Sequence, residues 1–183
     1  MQRRLFHVLV AVGVLASAVL PSARAIQPEV PTQALAKELA GLLQQRKLEA
    51  IAARLDSDTF VAALFYPGGE LLVVSAKYAA PTLLNEKILN RNYREAYLDL
   101  ASASVVGTKL MVEDSNADGI RQVRVGKQPF DVVTRGAAAP LSLDGDWKKQ
   151  SMTEDAYAKA FQEAETAYRH MLESLVAELK KVR

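Results

Sequence analysis

The chain has no cysteine among its 183 residues. That excludes structural disulfides, thiolate metal sites, a cysteine nucleophile and a lipid-modified cysteine. Histidine is nearly as scarce, and His170 is the only one beyond the first 25 residues. One imidazole without a thiol does not make a zinc site. No G-x-S-x-G elbow accompanies it to suggest a serine hydrolase. His170 is therefore expected on a helix surface or in packing. A basic stripe is missing too. The formal charge of +2 depends on Arg3, Arg4 and Arg24; without them 20 basic residues face 21 acidic ones, about −1. Nucleic-acid binding is not expected of such a surface. The chain also lacks internal repeats and low-complexity segments.

What is present begins with an export pattern. Arg3-Arg4 precede an apolar run from Leu5 to Leu20, and Ser22-Ala23-Arg24-Ala25 follows. A basic start, an apolar stretch and an A-x-A site read as a secretory signal peptide cut after Ala25. The apolar run is short for a spanning helix, so no membrane span is expected after cleavage. The expected destination is the periplasm or the extracellular medium of a bacterium. Arg3-Arg4-Leu5-Phe6 resembles the core of a twin-arginine signal. Gln2 before it and His7-Val8 after it depart from that pattern, so the general secretory route is the expectation. Residues 26–183 are expected to form one domain.

Thr59 to Tyr78 is the clearest structural statement in that domain. Two apolar runs, Val61–Phe65 and Leu71–Val74, flank Pro67-Gly68-Gly69. Proline presets φ for a turn and glycine reaches positive φ, so the stretch reads as a β-hairpin. Uninterrupted apolar runs of this length suit strands buried on both faces. A phosphate-cradling loop is excluded, because a strand and not a helix follows the glycines.

Around the hairpin, three long helices are expected to cover a small, mainly antiparallel sheet, giving an α+β fold. The first runs Thr32–Leu55, with Leu35, Leu39, Leu42, Leu43, Ile51 and Leu55 at helical spacing. The second runs Pro81–Ser104. The third runs Ser151–Val182, with Ser151 and Glu154 as a capping box. Thr108–Glu113 is expected to form a second hairpin with Ile120–Val125 across the turn Asp114–Gly119. Phe130–Thr134 and Leu141–Leu143 are candidate short strands. The apolar faces of the first and last helices leave room for a homodimer.

Three sets of residues could carry function. Asp114, Asn116 and Asp118 lie in a D-x-N-x-D-G stretch, where alternating oxygen side chains can converge on Ca²⁺. The twelfth position, a bidentate Glu in an EF-hand, is Val125 here, and the same residues also favour a plain turn. Lys77, Arg91, Arg94 and Lys109 could gather around a phosphate or another anion, or be solvated surface charge. Trp147, the single tryptophan, sits in a polar loop as a binding hot spot or as a plug at the base of the last helix.

The order of elements from Thr59 to Val133 resembles the FMN-binding split-barrel proteins, the pyridoxamine-phosphate-oxidase-like group. That resemblance implies a flavin cofactor, with Lys77, Arg91 and Arg94 at positions that hold its phosphate. No complete catalytic set appears in the sequence. The leading expectation is therefore an exported, non-catalytic domain that binds a small ligand or an envelope protein. A flavin- or nucleotide-phosphate-binding protein and a calcium-dependent domain are the alternatives.

Overall fold

The computed structural model describes residues 31–78, 87–90, 105–120, 127, 129–143 and 145–181. They form an α+β fold. The helices are α1 (Pro31–Arg46) and α2 (Glu154–Lys181). The strands are β1 (Ala50–Arg54), β2 (Thr59–Phe65), β3 (Leu71–Tyr78), β4 (Lys87–Asn90), β5 (Val105–Asp114), β6 (Val132–Arg135) and β7 (Leu141–Ser142). All seven lie in one sheet, in the order β4-β1-β2-β3-β5-β6-β7, and every pair is antiparallel.

The Thr59–Tyr78 hairpin is present and central. Gly69 takes φ 92° and donates its N–H to Tyr66 O at 2.9 Å, closing the turn. β2 is buried along nearly its whole length. Val61 and Ala63 face the helices, while Phe60, Ala62 and Leu64 are buried on the opposite side. Both faces being covered explains why the run carries no polar alternation.

Three expectations about helices need correction. The first helix ends at Arg46, not at Leu55. Lys47 turns to φ 55°, its N–H bonds to Gln44 O at 3.1 Å, and the Leu48 N–H reaches Leu43 O at 2.9 Å. This is a Schellman ending, here with lysine where glycine is usual. Ile51, which fits helical spacing, belongs instead to β1. Second, the Pro81–Ser104 stretch is not one continuous helix, because Lys87–Asn90 pairs with β1 as a strand. The outer edge of β1 offers backbone donors and acceptors that need partners. The rest of that stretch lies outside the described residues. Among the described residues there are thus two long helices, not three. Third, the capping box at Ser151 does not form. Ser151 has φ 54° in the preceding turn, and Thr153 is the cap, its Oγ1 accepting the Ala156 N–H at 3.2 Å.

The second hairpin is also corrected. Leu110–Glu113 pair with β6 on one side and with β3 on the other. No edge remains there for Ile120–Val125, whose last five residues lie outside the described set. The short strands near Phe130–Thr134 and Leu141–Leu143 are present as β6 and β7.

α1 and α2 pack on one face of the sheet, where Leu39, Leu43, Tyr168, Leu172 and Leu175 meet Val61, Val73 and Val112. The helices run in the same direction. The Thr32 N–H bonds to Glu165, and the Arg46 guanidinium donates to Leu179 O at 2.5 Å, both across 133 residues. The apolar faces of both helices are thereby buried within the chain and are not the free faces expected for a homodimer. No helix among the described residues is long and apolar enough to cross a membrane.

Candidate functional site

Two places gather chemistry. The first is where β5 ends against both helices. β5 stops at Asp114, and the chain reverses through Asn116 (φ 67°), Ala117 (φ 48°) and Gly119 (φ 80°). Asp114, fully buried, holds this reversal. Its Oδ1 accepts the Asp118 N–H at 3.0 Å, and its Oδ2 accepts the Gly119 N–H at 3.0 Å and the Tyr168 hydroxyl at 2.7 Å. Asp131 Oδ1 accepts the Ser115 N–H at 2.9 Å. Carboxylate oxygens of Asp114, Asp118 and Asp131 lie within 4.8 Å of one another.

Burial pushes the Asp114 carboxyl up to about 6, against the bonds from Tyr168, Gly119 and Asp118, which favour the anion. Burial, then the nearby Asp114 charge, pushes the Tyr168 hydroxyl well above its ordinary value. Beside them, Glu165 is raised by burial and held back by its two bonds to Thr32. The reversal sits hard against the start of α1. A side-chain carbon on Gly119 would lie 2.5 Å from Gln33 N. Of the three residues read as calcium ligands, Asp114 and Asp118 converge, and Asp131 joins them from beyond the turn. Asn116 is exposed. Because Asp114 already accepts three protein donors, a cation here would share oxygens that hold the loop.

The second place is a groove of about 520 Å³ between the sheet and α2. Leu55, Ser75 and Leu110 form one side; His170, Met171 and Ser174 form the other. Lys109 stands at its rim. The Lys109 ammonium donates to Thr59 Oγ1 at 2.5 Å and lies 3.5 Å from Asp58 Oδ1. Lys77 takes the other oxygen of the same carboxylate at 2.8 Å. The Lys77 ammonium holds the Asp58 carboxyl far below the usual carboxylate range, and Asp58 raises Lys77 in return. On the helix wall, His170 Nδ1 is 3.6 Å from Glu173 Oε2, and Arg169 Nε is 3.9 Å from Glu173 Oε1.

Lys77 and Lys109, two of the expected anion-binding cations, thus converge on Asp58. Arg91 and Arg94 lie outside the described residues. Trp147 is half-buried against the core at the approach to α2, with the Lys148 ammonium 5.3 Å from its ring centre. Sequence reading missed Asp58, Asp131, Glu165 and Tyr168. Asp58 stands in a polar Asp56-Ser57-Asp58 stretch with no site pattern of its own, and the others find their partners through tertiary packing alone. No family model matches the chain, and neither a curated protein nor a solved structure matches it.

Proposed function

We propose that this chain is an exported, non-catalytic ligand-binding domain whose binding surface is the groove between α2 and the β3–β5 side of the sheet. The observation that carries the reading is the groove itself, an apolar floor of Leu110 and Met171 with a charged rim at Lys109. Binding sites of this size are typically apolar with a few polar groups that fix orientation. Export rests on the Arg3–Ala25 signal pattern. The binding role rests on the groove together with the lack of a complete catalytic motif in the sequence.

Thermal shift of the purified protein against small ligands and envelope extracts tests this. A ligand at about 100 times its Kd adds roughly 2.7 kcal/mol, several degrees in Tm for a chain of this size. Ser174→Trp, which fills the groove from α2, is expected to abolish that shift. A shift that persists in the variant, or no shift from any compound, overturns the reading.

A second reading, a calcium-dependent domain, is favoured by the convergence of Asp114, Asp118 and Asp131. It requires the melting temperature to rise in millimolar Ca²⁺ relative to chelator. An unchanged melt removes it.

A further inference from the structure

We propose that the groove takes a monocarboxylate with an apolar tail, the carboxylate on Lys109 and the tail along Leu110, Met171 and Leu55. This assignment rests on the groove being the binding surface and names the class of its ligand.

The head-group argument starts at Asp58. Two ammonium groups share that one carboxylate, and the shorter contact, 2.8 Å, belongs to Lys77. Asp56, which accepts the Asp58 N–H, adds its charge on the Lys77 side. Among the described residues, Lys109 keeps the 3.5 Å contact with Asp58 and its bond to the Thr59 hydroxyl. An ammonium has three N–H donors, so one remains for a ligand. Lys109 lines the groove, and its side chain is about half exposed.

The opposite wall sets the charge of the ligand. Glu173 lines the groove there, with Arg169 and His170 as its partners along α2. A single spare donor facing a carboxylate across the groove suits a monoanion. A phosphate dianion would need more donors than Lys109 has left and would be repelled by Glu173 more strongly than a monoanion. The floor sets the tail. Leu110 and Met171 are buried and Leu55 is half-buried, all apolar, and methionine adapts its shape to irregular apolar partners.

Calorimetric titration of the purified protein with decanoate, decanol and acetate tests the assignment, using the wild type, Lys109→Met and Lys109→Arg. Decanoate is expected to bind and acetate not, since each buried methylene adds about a threefold to fourfold gain. Decanol is expected to bind about tenfold or more weakly than decanoate, the loss of a charge-assisted hydrogen bond. Lys109→Met keeps the apolar stem and should erase that difference, while Lys109→Arg should restore it. Decanol binding as tightly as decanoate, or discrimination surviving in Lys109→Met, overturns the assignment. If decanoate does not bind while another compound gives a shift sensitive to Ser174→Trp, the ligand class fails and the groove reading stands. If nothing of any class binds, both fail.

Discussion

The carboxylate of Glu165, midway along α2, caps the first turn of α1. Its Oε1 accepts the Thr32 N–H at 3.2 Å and its Oε2 accepts the Thr32 hydroxyl at 2.8 Å. A helix leaves its first N–H groups without internal partners, and a negative charge there also meets the helix dipole. Thr32 is fully buried, so water cannot replace the cap. Glu165→Ala is expected to destabilise the fold by about 1–3 kcal/mol, the cost of leaving buried donors unpaired. Glu165→Gln keeps an acceptor and should cost less. Denaturant melts of both variants check the order.

The Asp114 carboxyl gives the fold a pH dependence whose sign follows from its burial. Its value is about 6 in the folded chain against 3.8 for an ordinary aspartate, so the folded state binds this proton more tightly. The stabilisation from this group is full below the ordinary value and is lost as pH rises through about 6. A shift of that size corresponds to about 3 kcal/mol. Asp114→Asn cannot titrate there. The wild type should therefore gain stability relative to Asp114→Asn as pH falls from 7 to 4, measured by melts in chelator. A constant difference between the two proteins would contradict the assignment.

Gly119 and Gly68 make a controlled pair. Gly119 has φ 80° and backbone of α1 where a side chain would go, whereas Gly68 has open space around it. Gly119→Ala should cost more than about 2 kcal/mol, combining strain with overpacking. Gly68→Ala should stay within about 0.5 kcal/mol. Equal effects in thermal melts would show that the loop does not press on α1.

Lys47 offers a stabilising change. It adopts the left-handed conformation at the end of α1, where glycine carries no penalty from a Cβ. Lys47→Gly is expected to raise stability by about 0.5–1 kcal/mol, read as a rise of a few degrees in Tm.

Much of the fold was legible in the sequence where a local signal agreed with the tertiary environment. The Pro67-Gly68-Gly69 turn and its apolar flanks specified β2 and β3 because both chemistry and burial favour strand. The last helix, expected over Ser151–Val182, was equally plain. The end of α1 was not, because Lys47 replaces the usual glycine signal and Ile51 continues a helical spacing that the sheet overrides. Lys87–Asn90 carries no strand signature, and its state is set by pairing with β1. The site was legible only in part. Asp114, Asp118 and Lys77 could be singled out by type and spacing. Their partners Asp131, Tyr168 and Asp58 come from other elements, and no local pattern announces them.

The groove is tested most directly by following the methyl resonances of Met171 and Leu110, and the Trp147 indole, as ligand is added to the purified protein. The probes are decanoate and any compound that raises the melting temperature. Saturable shifts at Met171 and Leu110, with Trp147 unmoved, are the result expected of a ligand seated between α2 and β5. Saturable shifts at Trp147 with the two methyls unmoved, or no saturable shift with any compound, would contradict it.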